Sequence, residues 1–199
     1  MDRLKEKVAL ITGGAGGIGI AAARLFASEG AKVVIADLQD ATLQAALREI
    51  GHSGVTTLIT DVTDETQMRD AIASVIDRHG RLDAFFVNAG IEGRVSPLAE
   101  YPTDVFDRVL AVNVRGVFLG LKYAIPVMQK QGSGSIVITS SIAGLKGSVG
   151  ISAYVTSKHA VVGLMRSAAK EVAASGVRIN TIHPSPIETR MMRSIEEGA

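Results

Sequence analysis

Cysteine is absent from the 199 residues. That excludes a disulfide framework, a Cys-ligated zinc and a thiol nucleophile, and it is compatible with a reducing cytosol. Neither sign of charge prevails: 21 Lys and Arg against 20 Asp and Glu leave a formal net charge of +1. There is no electrostatic reason to expect a nucleic acid or an anionic membrane as partner, and no basic run or acidic tail stands out. Long apolar runs are missing too. The charged start, Asp2 to Lys7, leads into Val8 to Ile11, which is far too short for a signal-peptide core or a membrane span. His52, His79, His159 and His183 read as surface or loop residues, and nothing pairs them as metal ligands, so no metal site is indicated. The expectation is a soluble, cytoplasmic protein.

What is present is enough apolar material for one substantial core: 47% hydrophobic against 21% charged residues, with no repeat, low-complexity segment or linker. Short apolar runs recur along the chain at Val8-Ala9-Leu10-Ile11, Val33 to Ala36, Val55 to Ile59, Ala84 to Val87, Ile136-Val137-Ile138 and Val177 to Ile182. The clearest of them lack polar alternation, which is how strands buried on both faces of a parallel sheet read. Between them lie stretches of helical spacing, such as Ile18, Ala22, Leu25 and Phe26, or Met68, Ile72, Val75 and Ile76. Glu29-Gly30 and His79-Gly80 supply helix stops. Longer helical regions run from about Thr103 to Gln131 and from Tyr154 to Ser175. Repeated strand–helix units predict a single α/β domain over residues 1–199: a Rossmann-type, doubly wound parallel sheet in three layers.

The first predicted strand runs into Thr12-Gly13-Gly14-Ala15-Gly16-Gly17-Ile18-Gly19 and then a helix. Glycines there allow a tight turn and close approach of backbone to a pyrophosphate, and the helix presents free N–H groups to the phosphates. Glycine can also simply close a tight strand–helix turn. Asp37 ends the second strand, 18 residues after Gly19, near where an acidic residue accepts the adenosine ribose hydroxyls. A carboxylate there repels the extra phosphate of NADP, and its neighbours Leu38 and Gln39 are not basic, so the expected cofactor is NAD. The alternative is that Asp37 caps the following turn.

At this point the chain resembles the short-chain dehydrogenase/reductase family over essentially its whole length. The resemblance is carried by the Thr-Gly-x-x-x-Gly-x-Gly turn at Thr12 to Gly19, Asp61-Val62, Asn88-Ala89-Gly90, Asn113, Ser140-Ser141, Tyr154-Val155-Thr156-Ser157-Lys158, and Pro184 to Thr189. It implies that Gly13, Gly16, Gly17, Ile18, Gly19, Asp37 and Leu38 hold the dinucleotide, that Asp61 and Val62 flank the adenine, and that Asn88, Ala89 and Gly90 line the cleft. Pro184, Ile187 and Thr189 are implied at the nicotinamide. Val87 stands where the family usually has Asn, and Ser185 where it usually has Gly.

Tyr154 and Lys158 are four apart at the start of a predicted helix, so they project from one face. A phenol near pH 10 is a poor base at neutral pH. A nearby ammonium and an oxidised nicotinamide stabilise the phenolate, so that it can take or return an alcohol proton while hydride moves to or from the cofactor. Alone, such a pair is usually a solvated helix face. Ser141, 13 residues earlier, sits at the family's spacing; its hydroxyl is implied to steady the substrate oxygen. The resemblance also implies that Lys158 grips the nicotinamide ribose and that Asn113 holds a water linking Lys158 to solvent, although Asn113 could instead cap or bond within its helix.

The implied substrate is a secondary alcohol or ketone, uncharged and apolar or alicyclic, met by Ser141, Ala143, Val149, Ile151, Tyr154 and Met191. Alternatives are a 3-oxoacyl thioester reductase, which Asp37 and the all-small glycine turn disfavour, and a non-catalytic NAD-binding or scaffold protein. Relatives imply a homo-oligomer, a tetramer. They also imply a further helix and a final edge strand after Ala199, so the chain is expected to be C-terminally incomplete, with the sixth strand left at an edge.

Overall fold

The computed structural model describes residues 2–198. Six strands, β1 (Val8–Thr12), β2 (Lys32–Asp37), β3 (Val55–Ile59), β4 (Ala84–Val87), β5 (Gly134–Thr139) and β6 (Val177–Ile182), form one sheet in the order β3-β2-β1-β4-β5-β6. Every pairing is parallel. All five residues of β1 are buried, as an unbroken apolar run in a central parallel strand requires.

Successive side chains leave a strand on opposite faces, and this divides the core in two. Ile11, Ile35 and Phe86 pack with Leu43 beneath α1 (Gly17–Ser28) and α2 (Asp40–Ile50). Leu10, Val34 and Ile136 pack with Met68, Leu119 and Val161 beneath α3 (Glu65–His79), α5 (Gly116–Gln131) and α6 (Ser152–Glu171). Helix α4 (Thr103–Leu110) packs against α6, and α7 (Arg190–Gly198) follows β6. Helices on both faces of a parallel sheet give the three-layer, doubly wound architecture that the alternating sequence predicts.

The local signals act where expected. The Asp64 carboxylate accepts the Gln67 N–H and caps α3, and Gly80 ends that helix in the left-handed conformation, φ 75°, its N–H donating to the Ile76 carbonyl. Two expectations shift. Helix α6 begins at Ser152 and ends at Glu171, rather than running from Tyr154 to Ser175. The stretch Thr103 to Gln131 is not uniform: a π-turn over Ala111–Arg115 joins α4 to α5, centred on Asn113. Asn113 satisfies its side chain outside the helix, a demand that hydrophobic periodicity cannot reveal.

The chain winds from β1 through α1 and α2 on one side, then crosses by α3 to start β4 on the other side of β1. The loops after β1 and β4 therefore diverge, and a crevice opens at the carboxyl ends of these two strands.

Candidate active site

A cavity of about 780 Å³ occupies that crevice, within the range of small-molecule and cofactor sites. Its floor is the glycine turn. Gly16, the residue before α1, brings no side-chain cap, and the first turn carries no acidic residue. The first N–H groups of α1 thus keep no internal partner, and Gly16, Gly17 and Ile18 line the cavity. Gly19 does not line it. A Cβ at Gly19 would collide with the Gly13 carbonyl oxygen, so its absence lets the helix close on the turn.

Asp37 leaves the end of β2 over the same turn. Its carboxylate accepts the Ala15 N–H at 3.0 Å and the Leu38 N–H at 2.8 Å, and both Asp37 and Leu38 line the cavity. Asp61 and Val62 lie along the same wall, with one Asp61 oxygen already accepting from the Thr63 N–H and hydroxyl at 2.8 and 2.7 Å. An uncapped helix start beside a carboxylate with lone pairs left over fits a dinucleotide: donors for the pyrophosphate, acceptors for ribose hydroxyls.

Asn88 ties three elements together. Its amide donates to the Gly13 carbonyl at 3.2 Å and accepts from the Thr139 hydroxyl at 3.0 Å. The N–H groups of Asn88 and Ala89 both donate to the Thr12 hydroxyl, at 3.1 and 3.3 Å, which fixes the loop after β4 to the end of β1. Thr12 opens the glycine turn quoted from the sequence; Thr139 escaped the sequence reading, and only the fact that it ends a strand could have pointed to it. Asn88, Ala89 and Gly90 line the cavity. A Cβ at Gly90 would stand 3.3 Å from Asn113 Oδ1 and 3.4 Å from Lys158 Nζ, so glycine there permits these two groups to close in behind the loop.

Helix α6 delivers Tyr154 and Lys158 to the other end of the cavity. Lys158 is only 4% exposed; its Nζ lies 5.3 Å from the centroid of the Tyr154 ring and donates to the Thr139 carbonyl at 2.9 Å. The Lys158 carbonyl accepts from the buried Ser140 hydroxyl at 3.0 Å, so the end of β5 holds this residue at both its head and its backbone. Burial pulls the Lys158 ammonium down to about 8. Burial also pushes the Tyr154 phenol up; hydrogen bonding from the Ser141 side chain pulls it back, and the Glu92 carboxylate adds to the rise. Glu92 lines the cavity, and the sequence reading missed it because no motif contains it.

Asn113 is buried, 1% exposed, and outside the cavity lining. Its side chain accepts the Ile91 N–H at 2.8 Å and donates to the Ile91 carbonyl at 2.9 Å and the Ser157 hydroxyl at 3.0 Å. It clamps the loop after Gly90 to α6, directly behind Lys158. Ser141 lies just past β5 and caps the short turn Ile142–Gly144, its Oγ accepting the Ala143 N–H at 3.1 Å. Ser141, Ala143, Ile151 and Met191 line the cavity with Tyr154, and Pro184, Ile187 and Thr189 close it from the side of β6. Val149 does not belong to this set: it is fully exposed, 100%, because the loop after Gly144 turns it to solvent.

A dinucleotide-shaped crevice with a half-buried Tyr154 beside a buried Lys158 at one end defines an oxidoreductase that works with a nicotinamide cofactor on a CH–OH group. The family model for short chain dehydrogenases matches residues 7–199, and the chain belongs to that family. It is 41% identical over 196 residues to the levodione reductase of Leifsonia aquatica, covering 96% of this chain and 73% of that one. A crystal structure of levodione reductase superposes with a TM-score of 0.95 at 40% identity, over 98% of this chain and 78% of the other. The NAD+-bound structure of a xylitol dehydrogenase superposes with a TM-score of 0.88 at 38% identity, over 93% of this chain and 73% of that one.

Proposed function

We propose that the protein transfers hydride between NAD(H) and an uncharged, apolar secondary alcohol or ketone. The observation that carries this reading is that Ser141, Tyr154 and the buried Lys158 meet in the same cavity as Asp37. The cofactor, when bound, supplies the hydride acceptor for alcohol oxidation, or the donor in reverse. Gly13, Gly16, Gly17 and Ile18 hold its pyrophosphate, Asp37 and Leu38 its adenosine ribose, Asp61 and Val62 its adenine. Pro184, Ile187 and Thr189 hold its nicotinamide end. Asp37 favours NAD over NADP, since a second phosphate would face its carboxylate.

In the oxidising direction the Tyr154 phenolate removes the hydroxyl proton, and the C–H electron pair leaves the carbinol carbon as hydride, giving the ketone. Ser141 donates to the substrate oxygen and steadies its charge. Lys158 supplies positive charge behind Tyr154, and Asn113 holds the loop and helix that keep Lys158 buried in place. Ala143, Ile151 and Met191 offer an apolar rim that suits an alicyclic ketone, and relatives named as reductases and dehydrogenases support the alcohol–ketone chemistry.

We further propose a cytoplasmic homotetramer that works without nucleic acid or membrane. The half-exposed Phe118 on α5 supports a contact between copies, and the near-zero net charge supports the absence of polyanionic partners. The test is the absorbance of the reduced nicotinamide with a panel of alicyclic alcohols and NAD or NADP. Tyr154→Phe is expected to lose turnover while still binding NAD; turnover retained in that variant would refute the assigned base.

A further inference from the structure

His183 follows β6 and does not line the cavity. Its ring is held from both sides: Nδ1 lies 3.0 Å from the Ser141 carbonyl oxygen, and Nε2 lies 3.0 Å from the Thr181 hydroxyl. A carbonyl only accepts, so Nδ1 carries the hydrogen and donates. In that tautomer Nε2 is the bare nitrogen, and the Thr181 hydroxyl turns to donate to it. The carbonyl thus sets the tautomer and the hydroxyl completes it.

The bond falls where the sheet ladder fails. Ser140 donates its N–H to the Ile182 carbonyl at 2.9 Å, and Ile142 donates to the Pro184 carbonyl at 3.1 Å. The return bond from the β6 side would come from residue 184, and proline has no N–H. Past the end of β5 the backbone is therefore tied to the β6 chain through its N–H groups alone. The Ser141 carbonyl accepts from the Gly144 N–H at 2.9 Å, within its own turn; the imidazole is the bond that anchors this carbonyl to the β6 side.

We infer that His183 is a positioning residue for Ser141: the Thr181–His183–Ser141 chain of hydrogen bonds sets where the Ser141 hydroxyl stands relative to Tyr154. It builds on the role proposed for Ser141 but not on any particular substrate. A displacement of about 1 Å in a reacting group costs as much as a hundredfold in rate. Removing the ring leaves the Ser141 carbonyl with the Gly144 N–H, so the fold keeps its satisfied carbonyl and loses the tether.

The test compares His183→Phe, which keeps a flat ring without a donor, with His183→Asn, whose side-chain amide places an N–H near the position of Nδ1. In His183→Phe, kcat is expected to fall about tenfold or more with NAD affinity unchanged, and His183→Asn is expected to recover most of it. A second readout needs no substrate. The Tyr154 phenol, followed by carbon NMR of ring-labelled tyrosine and assigned with Tyr154→Phe, is expected to titrate at higher pH in His183→Phe, because the hydrogen bond from Ser141 that pulls it down is weakened. His183→Asn is expected to return it. If the wild-type chain oxidises none of the alcohols, the proposed function falls while this titration still decides the positioning role. Should His183→Phe not fold, Thr181→Val carries the comparison, with the same direction of shift. Wild-type kcat and titration in His183→Phe, or an Asn variant no better than Phe, would overturn the inference.

Discussion

Replacing Thr12 by valine changes one hydroxyl for a methyl at the end of β1, at a position buried in the wild type. That hydroxyl accepts the N–H groups of Asn88 and Ala89. In Thr12→Val both donors lose their acceptor while shape and volume are kept. A buried donor left unpaired costs about 1–3 kcal/mol. Asn88 and Ala89 border the cavity, where water reaches them in part, so the low end applies to each and the total is about 2 kcal/mol. For a domain of this size a loss of that order lowers Tm by about 4–8 °C. The same change frees the loop that the cofactor must meet in place, so NAD affinity is expected to fall with stability. Thermal unfolding followed by circular dichroism and NAD titration by calorimetry measure the two effects, with Thr12→Ser as the control that keeps an acceptor. A Thr12→Val protein melting within 1 °C of wild type would refute the reasoning, since it would mean that the two N–H groups have found another partner.

Asp37→Ser is expected to narrow the ratio of kcat/KM for NAD over NADP by at least about tenfold, by removing the repulsion between two like charges in a partly screened site; an unchanged ratio would show that discrimination lies elsewhere. Glu92→Gln is expected to shift the rise of kcat/KM for alcohol oxidation to lower pH: the Glu92 charge raises the Tyr154 phenol, so neutralising it lets the active phenolate form earlier. A shift to higher pH would refute that. Val149→Ser is expected to leave KM for the alcohol unchanged, because the side chain faces solvent; a severalfold rise would return Val149 to the substrate site.

The centre of the sheet was legible because β1, β2 and β4 are buried on both faces. Runs such as Val33 to Ala36 carry no polar alternation, and glycine punctuation at Gly30 and Gly80 separates them from the helices. That the glycine turn and Asp37 would share one crevice was legible for a different reason: a tight turn closing under a helix start demands glycine, and Asp37 ends the neighbouring strand. Side chains that act through the backbone left no such trace. Thr12 and Ser140 stand inside quoted motifs and Thr139 in none, yet what their hydroxyls do shows only once they are placed against Asn88 and Lys158. His183 reads as a loop residue because its partner Ser141 stands in the turn after β5, 42 residues earlier, and only the fold brings the two together. Val149 reads as one residue of an apolar pocket rim, and neither its apolarity nor its place in the chain says which way the loop turns.

The π-turn at Ala111–Arg115 amounts to one residue inserted into an otherwise α-helical stretch. Deleting one residue there would restore unbroken α-helical bonding and make a better helix in isolation. Were that residue kept and the stretch wound as ordinary α-helix instead, everything after it would rotate by about 100° relative to everything before, carrying Val117, Leu119 and Leu121 off the sheet or Asn113 away from Ile91 and Ser157. The surplus residue therefore acts as a phase adjuster. It lets one continuous rod present its apolar stripe to the sheet at one end and an amide to the catalytic loop at the other, two obligations that a strict period of 3.6 residues cannot meet together.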